Sequence, residues 1–193
     1  MNLITPIHLF FMLSMFLRIS VECLGIGLLT ETYGKEVLGQ TFSLGYGLGI
    51  IAVIIFHFSG LIWSSLSRFI FVHLCLSAVA LFIYFLPSDM QAKNILLVQL
   101  IFENIVFLSN WELASKLISP SQTRYYFPKF MISSQIGWFL GAFYALGYVI
   151  KPLRFSYIPV WIIFEILLLI IGIYIFVKNK SQIKNSVKQN QTH

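Results

Sequence analysis

Residues 157–177 read YIPVWIIFEILLLIIGIYIFV, an apolar run whose single charged residue is Glu165. A helix of about 20 mostly apolar residues crosses the hydrocarbon core of a bilayer, and this run is long enough to do so. Lysines follow at once, at positions 178, 180, 184 and 188, with no acidic residue among them. Such a basic flank is typical of the cytoplasmic side of a membrane protein. We therefore expect a membrane-spanning helix, followed by a basic, disordered cytoplasmic tail over residues 178–193.

The composition of the whole chain agrees with this interpretation. Of 193 residues, 58% are hydrophobic and 10% are charged, and the mean hydropathy is +0.85. Ordinary soluble domains carry about 25% charged residues, so this balance excludes a soluble domain, a disordered chain and a nucleic-acid-binding domain. Cys23 and Cys75 both lie inside apolar runs, where packing is a better explanation than a disulfide or a metal site. No metal, cofactor or nucleic-acid partner is expected; the expected surroundings are a lipid bilayer.

Five further apolar segments precede this run, near residues 7–29, 41–62, 69–87, 95–115 and 130–150. Their length, and the lack of alternating apolar and polar residues, favour helices over barrel strands. The sequence predicts an all-α membrane protein whose residues 1–177 form one bundle of six transmembrane helices. With the N-terminus inside, eight loop and tail cations lie on the inner side and four on the outer side. This count predicts that both termini are cytoplasmic, in a bacterial inner membrane.

Several ionisable side chains interrupt the apolar segments, where each costs several kcal/mol unless it has a partner or faces a cavity. Arg18 and Glu22 lie four residues apart, and so on one face of the first helix. Glu103 and Asn104 lie on the fourth helix at a similar depth. We interpret these four residues as either a structural polar network or a solute path. Three others, each of which a neighbouring group could satisfy, are His57, His73 and Glu165.

Small residues predict where helices pack closely. Gly45 and Gly49 on the second segment, and Gly137 and Gly141 on the fifth, are spaced four residues apart. Pairs at this spacing let helix backbones approach each other in lipid. Near the inner end of the fourth segment, the spacing of Glu112 and Lys116 favours an interfacial salt bridge. No repeat is clear in the sequence between residues 1–87 and 95–177.

Two stretches carry a family resemblance. LRISVECLGIG, residues 17–27, resembles the end of the first helix in the nucleotide (ATP/ADP) transporter family, a branch of the major facilitator superfamily. NWELASKLISPSQTRYYFPKFMISSQIGWFLGAF, residues 110–143, resembles the segment that joins that family's fourth and fifth helices. A weaker likeness is Arg68, at the superfamily's basic turn after the second helix. The positions that match are Leu17, Arg18, Leu24, Gly25 and Gly27 in the first stretch, and Trp111, Ala114, Arg124, Phe127, Pro128, Gly137 and Gly141 in the second.

The resemblance implies the N-terminal six-helix half of a transporter that works by alternating access. It places helices one and four along a central cavity, helices two and five against a second half, and Arg68, Arg124, Phe127 and Pro128 in loops. Two family positions differ, because Val21 replaces a cation and Gln122 replaces an acid. The implied solute is therefore a nucleotide or another anion, and the implied partner is a second copy or another six-helix half.

Two alternatives to transport follow from the sequence. A non-transporting membrane subunit, or a degenerate transporter fragment with a role in assembly, would show the same hydropathy pattern. An enzyme is not expected, because we find no HExxH motif, no P-loop and no Ser/His/Asp arrangement, and hence no catalytic residues.

Overall fold

The computed structural model describes the backbone of residues 4–118, 120–150 and 157–190, and the side chains of 6–118, 123–147 and 157–178. The predicted loop containing Lys151 and Arg154 lies outside the described residues. The described chain forms six helices, each long and apolar enough to cross a membrane. This confirms the predicted all-α fold. The helices are α1 (Ile4–Tyr33), α2 (Glu36–Ser59), α3 (Ser65–Tyr84), α4 (Ser88–Leu117), α5 (Pro120–Ile150) and α6 (Tyr157–Asn190).

Two connections show how short the turns between helices are. After α1, Gly34 adopts φ 81° and donates its N–H to the carbonyl of Thr30 at 3.0 Å. This left-handed conformation ends a helix, and glycine adopts it without steric cost. Before α3, the hydroxyl of Ser64 accepts a hydrogen bond from the backbone N–H of Ser67 at 3.1 Å, which caps the helix. The segment predicted as a break over residues 30–40 is therefore mostly helical.

The four residues predicted to lie in loops are instead helical. Arg68 lies in the first turns of α3, and Arg124, Phe127 and Pro128 lie in the first turns of α5. For the three residues on α5, the prediction of loops is wrong because the helix begins at Pro120, a residue suited to the first turn of a helix. Pro128 then lies inside the helix without ending it, as membrane helices tolerate.

The sixth helix continues beyond the apolar run. The backbone of α6 is helical through Asn190, over most of the segment for which the sequence predicts a disordered tail. Residues 173–190 contain no proline and no glycine, and lysine and glutamine are good helix formers, so nothing in this sequence ends the helix.

α1 and α4 lie at the centre of the bundle and run antiparallel. Near one end of their contact, Gly25 of α1 approaches Leu96 of α4, and near the other Ser14 of α1 bonds to Asn110 of α4. α5 packs on α1, α2 packs on α4, and α3 and α6 pack on each other and on the central pair. Between them these helices bury large apolar side chains that include Leu17, Phe69, Phe130, Trp161 and Leu168.

Two of the helix contacts are related by exchange of the first three helices with the last three. If α1, α2 and α3 are exchanged with α4, α5 and α6, the contact between α1 and α5 becomes that between α4 and α2. The contact between α1 and α6 becomes that between α4 and α3. The details agree, because Gly137 of α5 packs on Met12 of α1 and Gly49 of α2 packs on Leu100 of α4.

Candidate functional site

The two central helices are joined near their midpoints by a salt bridge. Nη2 of Arg18 on α1 lies 2.5 Å from Oε1 of Glu103 on α4. The guanidinium also lies 3.6 Å from the sulfur of Met15 and 5.8 Å from the centre of the Phe107 ring. Its side chain is 9% exposed, whereas that of Glu103 is 23% exposed. The arginine is thus held inside the bundle, and the carboxylate reaches toward its surface.

The surroundings of this salt bridge are polar on the outward side. Glu22 interacts electrostatically with both Arg18 and Glu103, and Tyr46 of α2 interacts with both carboxylates. Glu22 is half-buried and Tyr46 is exposed. We refer to Arg18, Glu22, Tyr46 and Glu103 as the polar face. Asn104, next to Glu103, is exposed.

Contact between this polar face and lipid hydrocarbon is energetically unfavourable. A charged side chain in the hydrocarbon core costs several kcal/mol unless it faces a partner or water. Arg18 has a partner inside the bundle, but Glu22 and Glu103 are only partly covered. The arrangement therefore requires a water-filled cavity or another protein surface opposite the polar face. Chemically, it offers one guanidinium and two carboxylates to whatever enters.

Behind the polar face lies a second, fully buried network that connects four helices. Nδ1 of His73 on α3 lies 2.7 Å from Oε2 of Glu165 on α6. Nε2 of His73 lies 3.3 Å from Oδ1 of Asn110 on α4, and the Asn110 amide donates to the hydroxyl of Ser14 on α1 at 2.8 Å. All four side chains are buried. The possibility that neighbouring groups satisfy His73 and Glu165 is realised, because the two satisfy each other.

The spacing of polar residues in the sequence contains a signal for this network. Ser14 lies four residues before Arg18, and Asn110 lies seven residues after Glu103. Both spacings keep residues on one helix face. Ser14 and Asn110 therefore lie on the same stripes of α1 and α4 as Arg18 and Glu103, displaced along the helix axes.

A third charged pair lies near the predicted inner end of the bundle. Arg68 of α3 forms a salt bridge with Glu112 of α4, and the hydroxyl of Ser65 donates to the same carboxylate at 2.6 Å. The guanidinium also lies 5.0 Å from the centre of the Phe56 ring on α2. Glu112 therefore pairs with Arg68 and not, as the sequence predicted, with Lys116. The planar guanidinium of Arg68 can bind the carboxylate and stack on the aromatic ring at the same time. This cluster holds α2, α3 and α4 together.

His57 lies on the wall of a separate open cavity of about 700 Å³ between α2, α3 and α4, which Arg68 and Glu112 also line. Along the axis of α4, Glu112 lies about 13 Å from Glu103, at a rise of about 1.5 Å per residue. Because His57 lines the same cavity as Glu112, it is not part of the polar face. The described residues contain no group of three or more His, Cys, Asp or Glu side chains placed to hold a metal ion.

The glycine pairs are used inside the bundle. A Cβ built on Gly137 or Gly141 would collide with the backbone carbonyl oxygen of Met12 or Phe16 on α1. A Cβ on Gly45 would lie 2.7 Å from the side chain of Leu100 on α4. The resemblance places helices two and five against a second half, but these glycines lie against a central helix of the same chain. Each pair lets α2 or α5 approach a central helix of the same chain.

Together, these observations define an integral, multi-pass α-helical membrane protein with a charged cluster near the midpoint of its two central helices. Comparisons of the chain with family models, with curated proteins and with solved structures find no match.

Proposed function

We propose that this chain is a half-size transporter of the major facilitator type, related to the nucleotide transporters that its motifs resemble. In this proposal it moves an anionic solute by alternating access. The observation that carries the proposal is the salt bridge between Arg18 and Glu103. It joins the midpoints of the two central helices, and transporters bind their solutes near the bilayer midplane.

The chemistry of the polar face supports an anion as the solute. Arg18 is the one cation of the polar face, and its planar fork can hold a carboxylate or phosphate through two parallel hydrogen bonds. An arriving anion competes with Glu103 for this fork, so its binding loosens the contact between α1 and α4. Because a single guanidinium lies among carboxylates, the site favours anions of low charge over polyphosphates.

The exposure of the polar face supports a partner. Glu22, Tyr46 and Glu103 are directed out of the six-helix bundle and need a surface or a water-filled cavity opposite them. A second six-helix unit, either another copy of this chain or a separate half, would enclose a cavity there. The alternative of a non-transporting subunit predicts the same association without solute uptake.

The proposal is tested by uptake into liposomes that contain the purified protein. We expect time-dependent uptake of one member of a panel of labelled ATP, ADP, phosphate and small carboxylates, and saturation as the unlabelled solute is raised. Protein-free liposomes are the control. A protein that forms a stable dimer in mild detergent but takes up no member of the panel would support the subunit alternative instead.

The proposed topology, with both termini in the cytoplasm of a bacterial cell, has its own test. Cys23 and Cys75 are first replaced by alanine, and single cysteines are then placed at exposed positions. An impermeant maleimide is then added outside intact inner-membrane vesicles of known orientation. We expect it to label only one of two variants, Thr32→Cys at the end of α1 or Lys116→Cys at the end of α4, because the two positions lie on opposite sides of the membrane.

Ser67→Cys provides the matched control, because it lies at the same predicted face as Lys116 and is exposed. Labelling of Thr32→Cys and Lys116→Cys from the same side would contradict the proposed topology. Labelling from opposite sides in the reversed sense would place both termini outside.

A further inference from the structure

Two buried ionisable side chains have no part in the proposed solute contacts. His73 and Glu165 contact each other at 2.7 Å, and their side chains are 0% and 3% exposed. A simple packing role would not need them, because apolar side chains of similar volume are at least as stable at such a position. Ionisable groups inside membranes are costly, and chains of Asp, Glu and His serve as proton relays in pumps and transporters.

The hydrogen bonds of this network define where a proton can lie. The side-chain NH₂ of Asn110 donates to the hydroxyl of Ser14. This orients the side-chain oxygen of Asn110 toward Nε2 of His73. Because an amide oxygen only accepts, Nε2 donates, and Nδ1 is left facing the Glu165 carboxyl. One proton fits between Nδ1 and Oε2, either on the imidazole or on the carboxyl. In both forms the pair is neutral overall.

Loss of this proton changes the pair in a defined way. It leaves a neutral imidazole whose Nδ1 lone pair faces a carboxylate, so the hydrogen bond disappears and a net charge of −1 remains buried. Such a charge is strongly disfavoured unless a cation lies nearby. The cation is Arg18, which interacts electrostatically with Glu165 as well as with Glu103 and Glu22.

We propose that His73 and Glu165 form a proton-binding site whose occupancy is coupled to Arg18, so that one proton accompanies each anion. When an anion binds at Arg18, whose charge Glu103 already compensates, it adds a negative charge near the deprotonated pair, so the pair takes up a proton. When the pair is protonated, it carries no net charge and no longer repels the anion, so the anion binds more tightly. These two effects are one coupling free energy seen from two sides.

The groups around the pair come from α1, α3 and α4. α1 supplies Ser14 and Arg18, α4 supplies Asn110, and α3 supplies the Phe69 ring, which lies 4.5 Å from the imidazole. Ser77 on α3 donates to the backbone carbonyl of His73 and not to its ring. Arg18 on α1 interacts electrostatically with Glu165.

The salt bridge between Arg68 and Glu112 shows the contrast. Both side chains are partly exposed, and a guanidinium cannot release its proton. That pair therefore shares no proton between two titratable groups, and Glu112→Gln is a matched control for Glu165→Gln.

The proton site is tested without any solute, by infrared difference spectroscopy of the purified full-length protein in lipid vesicles across a pH titration. In the wild type we expect a titrating band, of the carboxyl or of the imidazole according to where the shared proton lies, that Glu165→Gln removes and Glu112→Gln retains. His73→Gln should change the pH at which this band disappears, because the carboxyl has lost the group that shares its proton. Arg18→Ala should change it as well, because the deprotonated pair has lost its nearby cation.

Two outcomes would overturn the proton site. One is a spectrum in which Glu165→Gln removes no titrating band while circular dichroism and gel filtration show a folded protein. The other is an unchanged titration in His73→Gln, a variant that remains informative if Glu165→Gln fails to fold.

The coupling rests on the proposed transport function and is tested in liposomes that transport an anion of the panel. An acidic exterior should drive accumulation of that anion in the wild type. Glu165→Gln should keep exchange of the anion without a pH gradient but lose the accumulation. Uptake by the wild type that ignores the gradient would overturn the coupling and leave the transport proposal standing. A titrating Glu165 band without uptake of any anion would overturn transport and leave the proton site.

Discussion

Replacing Gly137 with leucine is expected to destabilise the bundle by about 3 kcal/mol or more, the upper range for overpacking a well-packed site. The Cβ alone would collide with the carbonyl oxygen of Met12, which belongs to the backbone of α1 and cannot rotate away. Relief requires α1 and α5 to separate along their whole contact. We expect a lower midpoint of thermal unfolding in detergent and a smaller folded fraction on gel filtration.

The chain contains matched controls for this substitution. Gly47 of α2 and Gly147 of α5 have no atom within 4 Å of a built Cβ, so leucine at either position should leave the midpoint nearly unchanged. Gly45→Leu should be intermediate, because its Cβ would meet the side chain of Leu100, which can move. Equal midpoints for Gly137→Leu and Gly147→Leu would contradict the observed packing of α5 on α1.

This ranking also separates two explanations of the glycines. If Gly137 contacted a second half, leucine there would weaken association and leave the folded monomer intact. Because the glycine is buried against α1 of the same chain, we expect the monomer itself to be destabilised. The surface left for a partner is instead the polar face and the apolar side chains around it.

Most of the fold could be predicted from the sequence, because the signal for a membrane helix is strong. Each helix needs only length and apolar composition, and residues 157–177 show both without ambiguity. The boundaries were harder to predict. The segment from Lys116 to Lys129 is polar and contains two prolines, yet α5 begins at Pro120, since proline is tolerated in a first turn and inside membrane helices.

The candidate site was predictable only in part. Depth along a helix follows from residue number, so Arg18 and Glu103 could be placed in one layer before their contact was known. Which side chains meet depends on the rotation and crossing of helices, which hydropathy does not specify. For that reason the sequence did not pair His73 with Glu165, and it paired Glu112 with Lys116 rather than with Arg68 on another helix.

Replacing Arg18 with alanine is expected to reduce anion uptake by about 100-fold or more, as loss of a charge-assisted contact of about 3 kcal/mol would do. Arg18→Lys should restore uptake only in part, because an ammonium cannot hold a carboxylate or phosphate through a planar fork. Phe85→Ala, at a side chain that is 75% exposed, is the control and should transport like the wild type.

Stability and transport should respond differently to the two partners of this salt bridge, and that difference identifies what Arg18 does. Removal of Arg18 leaves Glu103 unpaired, but a carboxyl can take up a proton and escape the cost of a buried charge. Removal of Glu103 leaves a guanidinium that cannot lose its proton, so it must turn to Glu22. We therefore expect Glu103→Ala to lower the unfolding midpoint more than Arg18→Ala does.

The double variant Arg18→Ala/Glu103→Gln should recover stability without recovering uptake. A double variant that recovered both would show that the salt bridge only holds α1 to α4, and that no anion binds to Arg18.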